Sequence, residues 1–372
     1  GARFRFFHLG TWPGGKSGAL NFALRETAPD AAVIAALDCG TVVQPDWLRR
    51  MLGYFADPAI GFAWSPQADP GASPWIAATA ARNNPEVVPV QAMTLVRRTA
   101  LESAGGWAEG TLAGNTELGL RLLQRGWHGA HSPEGFGRAV GAQGFAAASR
   151  RRFRQAYGAM QICRIHAHAL LSPFDPALTL HQRETLVAAW LPELADALCL
   201  LLLLAALAWS AGLILNPRMV SFPTLPLTLA PILLCALTVV RAVHQCPGPA
   251  GWHACTRAAL AGLALSHASG GGVWQAVLGG EPDAEERQPA YAGMAQRLAP
   301  VRSELVLLVL GWSAAAGIAV ARDMAQPQAV AWCVMLLVQS LPCLAAVVAA
   351  LRAGPVQDAN RISRVPHGAV PL

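Results

Sequence analysis

Lys16 and Asp38 are the residues whose type and setting first suggest chemistry. Lys16 follows the Gly-rich turn Pro13-Gly14-Gly15, and Asp38 closes the apolar run Ala31–Leu37. An apolar run of that length after a helical pattern reads as a central parallel strand. The C-terminal edge of such a strand is where open α/β sheets take ligands. The alternative is that Asp38 caps the next turn and Lys16 is a surface lysine. Two other patterns carry reactive types. The run Arg150-Arg151-Arg152-Phe153-Arg154 is basic enough to suggest nucleic acid. It reads better as the positive flank of membrane spans, meeting anionic lipid, and the chain carries no motif of a nucleic-acid-binding fold. His244-x-Cys246 and His253-x-Cys255 are in principle a zinc set. The Pro247-Gly248-Pro249 insert and the lack of any other metal-site pattern favour chance.

The elements that must position these residues follow from periodicity. Leu20, Phe22, Ala23 and Leu24 give a short helix that Pro29-Asp30 breaks. Pro45-Asp46 opens another, through Trp47, Leu48, Met51, Leu52 and Phe55. Ile60–Ser65 reads as a strand, and Leu118, Leu122 and Leu123 as the inward face of a helix. Phe4 and Phe6, alternating with Arg3 and Arg5, read as a strand at Gly1.

Only 13% of the 372 residues are charged and 53% are hydrophobic, whereas a soluble domain carries about a quarter charged. The imbalance falls in the second half. Residues 1–185 are expected to form a globular domain, 186–352 a transmembrane domain and 353–372 a tail. Four spans are expected, at 197–215, 225–243, 305–321 and 329–350. Segment 256–278 is apolar but carries Ser266, His267, Ser269 and Gly270-Gly271-Gly272. It is expected to be an interfacial helix pair broken at the glycines, with a fifth span as the alternative. Arginine asymmetry puts residues 1–185 and the tail in the cytosol and Arg218 opposite. Cysteines such as Cys199, Cys235, Cys333 and Cys343 lie within apolar runs as packing residues.

Gly14-Gly15-Lys16-Ser17-Gly18-Ala19-Leu20-Asn21, then Asp38-Cys39-Gly40, resembles the family two glycosyltransferases, in their membrane-bound cellulose-synthase-like branch. The resemblance continues through Arg97-Arg98, Ala100-Leu101 and Gly105-Gly106-Trp107. It resumes at Glu117-Leu118, Arg121-Leu122, Gly126-Trp127 and Gly158-Ala159-x-Gln161. It implies a partial GT-A (Rossmann-like) α/β domain followed by an α-helical transmembrane domain, with the family's nucleotide-binding strands expected before Gly1. It implies transfer of a sugar from a nucleotide sugar to a growing oligosaccharide or polysaccharide. Donor binding would fall to Lys16, Asp38 and Arg154, with Asp38 a ligand of Mg²⁺ or Mn²⁺.

The departures from the family fall on its working positions. Gly40 replaces the second carboxylate of D-x-D. Ala113-Gly114-Asn115 replaces T-E-D, whose Asp is the family's general base; an amide cannot take a proton near neutral pH. Arg151 and Gln155 replace the Gln and Trp of Q-x-x-R-W, so the acceptor loses its stacking floor. Gln91-Ala92 replaces a Gly-Thr/Ser pair. The interval 66–89 is trimmed, and the acidic run from Glu281 to Glu286 stands where the family has a basic gating loop. Two readings follow. One is a membrane glycosyltransferase with impaired catalysis. The other is a non-catalytic scaffold or subunit of a polysaccharide-export assembly, or a decaying gene copy. The resemblance places either in a bacterial-type inner membrane, in contact with lipid. A transporter is disfavoured because the spans carry few ionisable residues.

Overall fold

The computed structural model describes residues 4–10, 12–37, 41–66, 93–139, 144–172, 178–244, 252–280, 297–322 and 324–352. The chain divides into two compact units. The first holds residues 1–71, 83–140 and 158–190, and the second holds 72–82, 141–157 and 191–372.

The first unit is a mixed sheet with helices. In order come α1 (Gly15–Glu26), β1 (Val33–Leu37), β2 (Thr41–Val43), α2 (Trp47–Leu52), β3 (Ile60–Trp64), β4 (Met93–Arg97), α3 (Arg98–Ser103), α4 (Gly114–Gln124), β5 (His128–His131) and β6 (Gly137–Ala139). The four-stranded sheet runs β1-β4-β3-β5, and β2 pairs with β6 in a separate ribbon. β4 is antiparallel to both β1 and β3, while β3 and β5 are parallel. Strand side chains alternate between faces, and that alternation builds two cores. Phe62, Trp64 and Val96 join Leu101, Trp107, Leu118 and Leu122 on one face. Ala63, Met93 and Leu95 join Trp47, Met51 and Phe136 on the other.

Two expectations are corrected here. β1 is not a buried parallel strand: it pairs antiparallel with β4, is half-buried, and has no second strand partner among the described residues. Within it Ala35 and Leu37 are exposed, Leu37 at 42%. Phe4 and Phe6 form no strand; they are 92% and 89% exposed in irregular backbone.

The remaining helices are α5 (Phe145–Ile165), α6 (Ala167–Leu171), α7 (Leu180–Leu215), α8 (Leu225–His244), α9 (Trp252–Leu278), α10 (Arg302–Ala321) and α11 (Pro327–Arg352). Residues 145–157 of α5 belong to the second unit, and α7 enters it at Leu191. Among the described residues, four helical stretches are long and apolar enough to cross a membrane: Leu180–Leu215, Leu225–His244, Ala299–Ala321 and Pro327–Arg352.

The glycine triplet does not break α9, which is one continuous 27-residue helix. A Cβ on Gly270 would lie 2.8 Å from the Asp196 carbonyl oxygen, and one on Gly272 would lie 2.4 Å from that of Phe153. The glycines let the backbones of α7 and α5 approach α9, as small residues do between membrane helices. Glu193 and Asp196 are buried, only 6% and 3% exposed. They face Arg152, an arginine of the supposed surface run, which is itself 3% exposed.

Candidate functional site

The Gly-rich turn leads directly into α1. Gly14 and Gly15 both have positive φ, +75° and +58°, which glycine adopts without strain. A Cβ on Gly18 would come within 2.0 Å of the Pro13 carbonyl oxygen, so only glycine fits under the turn. Lys16 stands exposed in the first turn of α1, the end of the helix whose dipole favours anions. Asn21, on the same helix, donates from Nδ2 to the Trp107 carbonyl at 2.8 Å and to Glu109 Oε1 at 2.9 Å. Its Oδ1 accepts from the Trp107 backbone N–H at 2.8 Å. One asparagine thus fixes the Gly105-Gly106-Trp107 turn to α1.

Trp107 is buried and donates from Nε1 to Asn115 Oδ1 at 3.2 Å. Asn115 is the second residue of α4, and with Trp107, Phe62 and Leu118 it lines a small, mostly apolar cavity. The Asn115 amide therefore orients an indole. The neighbouring carboxylate, Glu117, is held by partners of its own. Glu117 is 3% exposed. Arg121 Nε donates to its two oxygens at 2.7 and 2.8 Å, and His166 Nε2 lies 3.2 Å from Oε1. Arg121 also donates to the Ala104 and Gly106 carbonyls. Burial raises the Glu117 pKa, but the hydrogen bonds from His166 and Arg121 outweigh it, leaving the carboxyl below its usual 4.5.

That depression carries a sign. A carboxyl whose folded pKa is lowered contributes stability above its unfolded pKa and loses it as pH falls through the folded value. The first unit should therefore lose thermal stability on acidification below about pH 4.5. Tryptophan-fluorescence melts of the full chain should show this, with a smaller acid-dependent shift in Glu117→Gln.

Three family-motif residues have structural partners that the sequence left unassigned. Arg97 donates to the Phe55, Asp57 and Ile60 carbonyls, and Arg98 to those of Ala28 and Ala31. Both are committed to backbone oxygens that anchor the ends of β1 and β3. Gln161 accepts from the Leu112 N–H at 3.1 Å and donates to the Gly110 carbonyl at 2.8 Å, holding the loop before α4. Runs of polar side chain against loop carbonyl leave no periodic signal, so spacing alone could not find them.

Asp38 and Gly40, and likewise Gln91-Ala92 and 67–89, lie outside the described residues, as do 281–286 and Cys246. Lys16 and Asn115 belong to the first unit; Arg154, exposed, and Gln155, half-buried, belong to the second. Among the described residues no three His, Cys, Asp or Glu side chains gather as a metal site. A hard cation needs carboxylate and phosphate oxygens. Gly40 supplies no carboxylate.

The family model described as Glycosyl transferase family group 2 matches residues 33–242, more than half of the chain. The beta-monoglucosyldiacylglycerol synthase of Synechocystis sp. is 30% identical over 129 residues, covering 31% of this chain and 26% of that protein. The chain thus matches about a quarter of that relative's length. A mannosyltransferase of Pyrobaculum calidifontis, solved in complex with GDP-Man and Mn²⁺, aligns with a TM-score of 0.45 at 20% identity, over 72% of this chain and 68% of that one.

Proposed function

Because the chain belongs to glycosyltransferase family 2, we propose that it is a membrane-bound member that keeps the framework for sugar transfer and has lost most of the chemistry. The ancestral reaction passes a sugar from a nucleotide sugar to an oligosaccharide or polysaccharide. The observation that carries the proposal is Asn115, which stands at the base position with its Oδ1 on the Trp107 indole. Glu117, the nearest carboxylate in sequence, is committed to Arg121 and His166. Lys16, Asp38 and Arg154 remain for a donor diphosphate, with Gln155 where an acceptor would stack.

Calorimetry with a nucleoside diphosphate and Mg²⁺ or Mn²⁺ on the full chain tests what is left. Weak, metal-assisted binding is expected, lost in Asp38→Ala. Micromolar binding that persists in Asp38→Ala would place the donor site elsewhere.

A second reading, a non-catalytic scaffold of a polysaccharide assembly, has its own support. Buried ionisable groups have polar or oppositely charged partners: Glu117 has Arg121, Arg152 has Glu193 and Asp196, and Glu304 has His267 at 3.0 Å. A decaying gene copy would accumulate unpaired buried charges, each strongly destabilising. Framework intact with the working positions altered is what a scaffold needs.

The membrane arrangement we favour has four spans, with residues 1–185 and the tail in the cytosol. Helix α9 lies along the interface. Supporting this, Gly262 meets Ala242 near the end of α8, Gly270 meets Asp196 just before the leucine-rich part of α7, and His267 meets Glu304 in the first turn of α10. Those contacts fall on span ends, as an in-plane helix requires. With native thiols removed, a cysteine at 218 should be labelled from outside and one at 287 should not. Labelling at 287 would instead favour a fifth span.

A further inference from the structure

The apolar stripe on the first half of α5 contains an arginine. Phe145, Ala148, Arg152 and Ala156 fall on one helix face and all are buried. Arg152 Nη2 lies 3.1 Å from Glu193 Oε1 and 3.7 Å from Asp196 Oδ2, both on α7. Asp196 Oδ1 lies 4.0 Å from Arg241 Nη2, on α8. Two positive and two negative groups from three helices thus form a neutral cluster at the head of the first span. The surrounding seam is close. Gly270 and Gly272 bring α9 against the Asp196 and Phe153 carbonyls. Trp274 Nε1 donates to the Ala197 carbonyl at 2.9 Å, and the Tyr157 hydroxyl to that of Gly280 at 3.1 Å.

We propose that Arg152 is an electrostatic pin that sets the rotation of residues 145–157 against α7 and α8, independently of whether any sugar is transferred. A leucine stripe can slide or turn by a fraction of a residue. A guanidinium between two carboxylates has one setting, because any other leaves buried charge unpaired. With Arg152 seated inward, Arg151 and Arg154 are exposed and Gln155 half-buried on the same helix. The pin therefore fixes which way the remaining basic side chains of α5 point. It uses none of the altered positions, so it survives the losses at 151 and 155.

Hydrogen exchange of the full chain in lipid nanodiscs tests the pin. Arg152→Met and Arg152→Lys have similar length and differ in charge. Removing one partner of a buried pair shifts the opening equilibrium by roughly a hundredfold or more. Amides 148–157 should therefore exchange about a hundredfold faster in Arg152→Met. Arg152→Lys should remain within about tenfold of the parent. The double variant Arg152→Met with Glu193→Met leaves the Asp196–Arg241 pair matched and should exchange more slowly than Arg152→Met alone. Parent-like exchange in Arg152→Met overturns the proposal, as does Arg152→Lys exchanging as fast as Met or failing to fold. Additive effects in the double variant overturn it too. If Arg152→Met cannot be recovered, protection in the lysine and double variants supports the pin, and its loss in either overturns it.

Discussion

Arg121→Met is expected to destabilise the first unit by about 3–5 kcal/mol, the usual result of breaking a buried ion pair from one side. Arg121 holds three things at once: the Glu117 carboxylate and the Ala104 and Gly106 carbonyls. Methionine fills similar space and satisfies none of them. His166 remains beside Glu117 but touches only one of its oxygens. Thermal melts of the full chain, followed by tryptophan fluorescence, should show a large drop in midpoint. Adding Glu117→Gln should recover part of it, since an uncharged amide costs less to bury than an unpaired carboxylate. If Arg121→Met melts with the parent, the network is not what anchors α4 to the Gly105–Trp107 turn.

The second large effect concerns repair. Loss of a general base costs about 10²–10⁴ in rate, and misplacing the acceptor forfeits a separate contribution from orientation. Asn115→Asp alone should therefore give no measurable transfer, since it restores a base with neither a metal ligand at 40 nor a ring at 155. The combined set Gly40→Asp, Gly114→Glu, Asn115→Asp, Arg151→Gln and Gln155→Trp is the one expected to gain activity. One member meets an obstacle: a Cβ on Gly114 would lie 2.7 Å from Ser17 Oγ, so Ser17 must change rotamer. Adding Ser17→Ala to the set should raise the yield of active protein. Transfer assays on the two sets side by side check this. Activity from Asn115→Asp alone would show that the other positions matter little.

Much of the fold was legible because its signals are periodic. The Phe62/Trp64 alternation in β3, the Leu118/Leu122 face of α4 and the long apolar runs all announce their partners. β1 misled because a continuous apolar run reads as buried, whereas Ala35 and Leu37 in it are exposed. The glycine triplet of α9 misled because glycine serves both helix breaking and close packing, and sequence does not say which. Arg152 looked like one arginine in a basic run. Its phase with Phe145, Ala148 and Ala156 was the available signal, outweighed by its charge. The site was legible only through the family motifs, which mark positions without saying what each residue touches. That Arg97 and Arg98 serve carbonyls, and that Asn115 serves an indole, depends on contacts tens of residues apart or on a turn whose glycines hold φ near +80°.

Under the proposed reading the framework persists without the chemistry. Its most direct test is incorporation of radiolabelled sugar from nucleotide sugars by the unmodified full-length protein in membranes, beside an Asp38→Ala control. The same background signal is expected from both. Incorporation by the unmodified protein well above that control would mean that Gly40, Asn115 and Gln155 are tolerated, and that the protein is a working transferase.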